Sequence, residues 1–192
     1  MKKTFQFIAL AAIVLPLLIA CNKKSTNEPE NPNSFDSMDE WFDYWTTGDE
    51  KDALEINEEN LVGTWERVGE VEVTKSGEIN HTLIPSVMGY RDDKYLQLQA
   101  SRKFAVYFVH DKEYGNSEKR EDVTEKKEGT WKVSNKQILY TYANSDEAKE
   151  TVYLLESDRL VVTVPGQAWR GDGTTSTYYT IYSRINALPE IP

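Results

Sequence analysis

From Leu61 onward, apolar residues recur at every second position, and no stretch of this part of the chain repeats at the three-to-four spacing of a helix. In the segment 65–73, Trp65, Val71 and Val73 share one parity while Glu66, Glu70 and Glu72 share the other. That predicts a strand with one apolar and one wet face. The turn Lys75-Ser76-Gly77 leads to a return strand over 78–84. Further strands are expected at 95–100, 103–110, 123–133, 137–143, 150–155, 160–164 and 177–185, separated by turns such as Ser134-Asn135, Asn144-Ser145-Asp146 and Ser157-Asp158. So many short strands at even spacing describe an antiparallel barrel or sandwich. The connections are too short for the crossover helices of a parallel sheet.

Composition narrows the function classes. The chain has 192 residues, 39% of them hydrophobic and 11% aromatic, enough for a real core. Its single cysteine excludes an internal disulfide and a thiolate zinc site. A net charge of −10 argues against a nucleic-acid binder that tracks phosphates. The basic pairs Lys119-Arg120 and Lys126-Lys127 alternate with Glu118, Glu121, Glu125 and Glu128, the pattern of a solvated charged surface.

The N-terminus carries an address. Lys2 and Lys3 precede an apolar run from Phe5 to Ala20, too short for a comfortable membrane span, so residues 1–20 read as a secretory signal peptide. Leu18-Ile19-Ala20-Cys21 resembles the bacterial lipoprotein box. That resemblance implies cleavage ahead of Cys21 and lipidation of its sulfur, with the membrane as partner through the acyl chains. Asn22 is not the Asp that resembles an inner-membrane retention signal, so the expected location is the outer membrane of a Gram-negative cell, on either face. Residues 21–34 have the composition of a flexible tether, reaching about 45 Å when extended. Residues 22–60 hold a net charge of −9 and residues 61–192 only −3, so the asymmetry lies next to the membrane. Within the acidic segment 35–60, Ser37 and Glu40 form a capping box ahead of a short helix from Met38 to about Trp45. Trp41 and Trp45, four apart, share one helical face. That face either covers the strands or, with Trp169, contacts a partner.

At Leu61-Val62-Gly63-Thr64-Trp65 the chain resembles the lipocalin-like domains of bacterial lipoproteins, whose first strand opens with Gly-x-Trp. Gly129-Thr130-Trp131 repeats the motif, and Arg184 lies near the end of the last strand. The resemblance implies an all-β, up-and-down antiparallel barrel of about eight strands over 61–186, followed by a tail at 187–192. It also implies that Arg184 closes the barrel base over Trp65, with Gly63 admitting the contact.

Residues for chemistry are scarce. His81 stands alone, and His110 has only Asp111 beside it. No nucleophile with a base, HExxH, phosphate loop or calcium loop is present. The chain is therefore expected to be no enzyme and to need no cofactor or metal. What remains is the interior and the surface. Phe104, Phe108, Tyr140, Tyr178 and Tyr182 are candidate lining residues for a small hydrophobic or amphipathic ligand. The glycine-flanked Trp169-Arg170 pair in the loop 165–173 is a recognition candidate. The alternative is a filled barrel that works through its surface, as a protein-interaction or inhibitory module with an envelope protein as partner.

Overall fold

Gly63–Thr74 forms β1, the strand on which the rest of the structure closes. The computed structural model describes residues 35–83, 92–113, 120–167 and 175–191. The leader, Cys21, the tether and Trp169 lie outside these residues. After β1 come β2 (Ile79–Leu83), β3 (Asp92–Leu98), β4 (Lys103–Glu113), β5 (Arg120–Ser134), β6 (Gln137–Tyr142), β7 (Glu147–Leu155), β8 (Arg159–Gln167) and β9 (Thr175–Ile185). Each pairs antiparallel with its neighbour, and β9 returns to pair with β1 over Thr64 to Thr74. β1 uses its other edge twice, pairing its first residues with β3 and its later ones with β2. The result is a closed eight-stranded up-and-down barrel in which β2 is an extra lap on β1. Strand-sized periodicity and turn residues thus gave the correct fold class.

The faces of β1 differ from the simple alternation. Pairing with β9 shifts between Arg67 and Gly69, so one extra residue enters β1 there. Such a bulge reverses the side to which every later residue points. Trp65 and Arg67 therefore point into the barrel, as do Glu70 and Glu72, which sit opposite Thr180 and Tyr178. Val71 packs on the outer wall, and Val73 lies against the same outer cluster. The apolar face read from the sequence is split between two cores, and its wet face is partly interior. Gly129 lies within β5, inside the strand expected at 123–133, and not at a strand entrance like Gly63. A Cβ there would stand 2.1 Å from the Thr141 carbonyl oxygen, so glycine lets β6 pack closely.

The outer core lies under α1 (Met38–Thr46). Ser37 caps it, its hydroxyl accepting the Glu40 N–H at 3.1 Å, while the Glu40 carboxylate accepts the Asp36 N–H at 2.8 Å. The amphipathic face then buries Trp41 and Trp45 against Val71, Val161 and Ile181. Trp41 fills the space over Gly69, where a Cβ would come within 2.4 Å of its ring. These tryptophans were candidate surface contacts; the structure spends them on the barrel wall, leaving Trp41 2% exposed. Arg159 ties the end of α1 down, donating to the Tyr44 carbonyl and, at 2.6 Å, to Glu156.

Candidate functional site

The barrel interior has two unlike halves. At the lower end a single helical turn, α2 (Glu58–Leu61), lies across the opening, capped by the Asn57 side chain. Leu61 plugs the floor. Arg184 stacks over Trp65, its guanidinium carbon 4.1 Å from the ring centroid. It donates to the carbonyls of Val62 and Asn60, both at 2.7 Å, and the Trp65 indole N–H donates to the Leu61 carbonyl at 3.0 Å. Gly63 permits this, because a Cβ there would meet the Arg184 guanidinium at 2.4 Å. Arg184, Trp65 and Gly63 thus stand together at the base.

Above this base the lower half is filled. Leu61, Trp65, Ile138, Leu160 and Val162 expose none of their surface, so no water-sized space lies beside them. Three of the five candidate lining residues belong to this packing: Phe104, Tyr140 and Tyr182 are all buried in the main core. Phe104 meets Tyr140 edge-on with centroids 5.0 Å apart, and Tyr142 likewise at 5.2 Å. The other two, Phe108 and Tyr178, are only half-buried and lie higher.

The upper half holds charges. Lys94, opposite Phe108 in the β3–β4 ladder, exposes only 15% of its side chain. Its Nζ lies 3.8 Å from Glu70, and 5.6 and 5.8 Å from the ring centroids of Tyr182 and Phe108. Glu70 also accepts Arg67 at 3.2 Å, and Arg67 reaches Asp92 at 3.1 Å. The Tyr140 hydroxyl donates to Glu150 at 2.9 Å, and Glu72, fully buried, shares a hydrogen bond with Tyr178. Desolvation works against the Lys94 ammonium, but Tyr182, Glu150 and Glu70 outweigh it and hold its pKa above the ordinary lysine value. Burial pushes the Tyr182 phenol up to about 12, against the pull of Lys94, and burial together with Glu150 also raises the Tyr140 phenol well above its ordinary value.

An alternating pattern unbroken along β1 puts Glu70 and Glu72 outside, and this is why the acidic partners of Arg67 and Lys94 were missed as site residues. A lone lysine in a strand whose alternate residues are Leu96 and Leu98 was the available signal. The elevated pKa values have a consequence for stability. The folded state keeps protons on Tyr182 and Lys94 that the unfolded chain releases at lower pH, so the stability they add is present below pH 10 and lost as pH climbs towards 12. Alkaline urea titrations should show the unfolding midpoint falling across this window. Tyrosine absorbance should show a late class ionising only as the protein unfolds.

Among the described residues, no group of three or more His, Cys, Asp or Glu is placed to hold a metal ion. His110 stands opposite Asp92 and Val123 in the β3–β4 and β4–β5 ladders, and the His81 side chain lies outside the described residues. Outside the barrel, a cleft of about 680 Å³ lies between the end of α1, the segment 47–52 and the β7–β8 turn, with Glu156 and Arg159 in its wall.

No protein-family model matches the chain, and no curated protein matches it. Among solved structures, apocrustacyanin C1 is similar with a TM-score of 0.37 and 14% identity, over 68% of this chain and 64% of its own. Apocrustacyanin C2 aligns at 0.36 and 12%, over 68% and 64%. Lobster apocrustacyanin A1 aligns at 0.34 and 14%, over 69% and 64%. The chain therefore spans about 64% of the length of these proteins. Its own strand register establishes the closed barrel.

Proposed function

We propose that the chain is a lipid-anchored binding protein of the bacterial outer membrane whose barrel carries a small amphipathic ligand in its upper half. The observation that supports this is the cluster of Arg67, Glu70, Lys94, Glu150 and tyrosine hydroxyls inside the barrel wall. Taking an ion out of water costs several kcal/mol even after relaxation. A barrel selected only to fold gains more from filling that space with apolar side chains, as its lower half does. Polar groups held above an apolar floor suit a molecule with a polar end and an apolar body. The chemistry this supports is binding, since the charged groups pair with one another and Lys94 is held as an ammonium.

The test is native mass spectrometry of the gently purified protein against its denatured mass, followed by identification of any released molecule. A stoichiometric adduct of a lipid or other amphiphile is expected. A second reading, favoured by the filled lower half, is a surface-acting interaction or inhibitory module. An adduct-free mass with no thermal shift across a panel of amphiphiles would select it.

Anchoring rests on Cys21, and its test is separate. Wild-type protein is expected to fractionate with membranes and to carry the extra mass of acyl chains. Cys21→Ser is expected to lose both, because several acyl chains are needed for durable attachment. Membrane fractionation of the Cys21→Ser protein unchanged from wild type would end the anchoring proposal.

A further inference from the structure

Among the described residues, the barrel wall is a continuous ladder only in its lower half. Towards the upper end, β3 parts from β1 above the Glu66 and Tyr95 pair, β6 parts from β5 above the Gly129 and Tyr142 pair, and β7 parts from β8 above the Thr151 and Thr163 pair. The first seam is closed by a side chain: Arg67 donates to the Asp92 carbonyl and pairs with its carboxylate, substituting for missing ladder bonds. The seam between β5 and the β6–β7 tip is different. Beyond a last bond from the Ala143 N–H to the Glu128 carbonyl at 3.0 Å, β5 continues through residues 120–127 paired with β4 alone among the described residues, because β6 is only six residues long. A cleft of about 450 Å³ occupies the gap, lined by Lys126, Lys127, Glu128, Tyr142, Asn144 and Asp146, with Ala143 at its rim.

The charges in this cleft are unequally satisfied. Lys126 pairs with Glu128 at 2.6 Å, and Asp146 is bonded to Asn144 through both its carboxylate and its N–H. Among the described residues no carboxylate pairs with Lys127. Its ammonium instead stands 5.3 Å from the centroid of Phe108, the same ring that Lys94 approaches from inside the barrel. Tyr142 lines the cleft, and its ring packs on Phe104 in the core. Lys127 stands opposite Val106, so by register it shares the inner face with Phe108 and Tyr142, and the gap opens this available cation and the aromatic surface beside it to solvent.

We infer that this lateral cleft is where the ligand sits, and that the ligand is an organic anion with a flat apolar body. Its acid group pairs with Lys127 while its body lies along Phe108 and Tyr142. The inference rests on the reading of the barrel as a carrier and adds to it the ligand's charge and its place in the wall.

Two probes that differ in one group test it. 1-Anilinonaphthalene-8-sulfonate carries a sulfonate that N-phenyl-1-naphthylamine lacks. Both are titrated at low salt into the Cys21→Ser chain, with stoichiometry read from the native mass. One equivalent of each should bind. In the Lys127→Met background the sulfonate probe should weaken about tenfold, the loss shrinking as salt is added, while the neutral probe changes less than twofold. Ala143→Trp, on an exposed turn, should fill the cleft and abolish both, with melting temperatures of both variants equal to the parent. Sulfonate binding unchanged in both variants would overturn the lateral site while leaving carriage in the barrel intact. Failure of the parent to bind either probe, together with an adduct-free native mass, would overturn the carrier reading and this site with it.

Discussion

Trp65→Ala is expected to lower stability by about 3–5 kcal/mol, the range for truncating a fully buried tryptophan. Trp65 is 0% exposed and is held by three kinds of contact: apolar packing with Leu61 and Leu96, the indole N–H to the Leu61 carbonyl, and the guanidinium of Arg184 across its face. Truncation leaves a cavity that the floor cannot collapse into, because α2 is fixed by its own bonds to Arg184. Urea denaturation followed by far-UV circular dichroism checks this. A midpoint within error of wild type would mean that the base is closed by something other than this pair. Arg184→Met separates the parts. It removes a cation–π contact of about 0.5–2 kcal/mol and leaves the Val62 and Asn60 carbonyls without a donor, so its cost should be smaller than that of Trp65→Ala but clearly measurable.

The second large effect is expected at Arg67. Arg67→Met should destabilise by about 3 kcal/mol, because breaking a buried pair leaves its partner charge without compensation. The figure sits at the low end of that class, since Asp92 and Glu70 keep 26% and 31% of their side-chain exposure. The same change opens the seam between β1 and β3, where Arg67 stands in for backbone pairing. Hydrogen exchange should therefore rise at Lys94 and its neighbours on β3 while the core of β4 and β5 stays protected. Equal protection throughout β3 would show that the seam is closed without Arg67.

These two residues illustrate how far the sequence carries. Trp65 and Arg184 were legible together because each sits where a local pattern puts it, one at the entrance of the first strand and the other near the end of the last. Their meeting follows once the barrel closes. The ion pairs of Arg67 were not legible. Arg67 shares the parity of Trp65, but its partner Glu70 points inward only because of the bulge between Arg67 and Gly69, which lies where β1 passes from β3 to β2 on one edge while β9 runs along the other. The amphipathic face of α1 was plain in the spacing of Trp41 and Trp45, yet that spacing is the same for a helix that meets a partner and one that clasps its own barrel. The choice was made by Gly69, which leaves room on the outer wall for the Trp41 ring.

By itself the sequence determined the strand and turn spacing, the capped aromatic helix, and hence an antiparallel all-β body. Those features depend on interactions within a few residues: side-chain alternation, turn chemistry and the bonds of a helix cap. The tertiary structure alone decided which charges enter the barrel, which half is filled, and where the wall parts. Each of these depends on register between strands far apart in the chain, and a shift of one residue in register turns every following side chain to the other face.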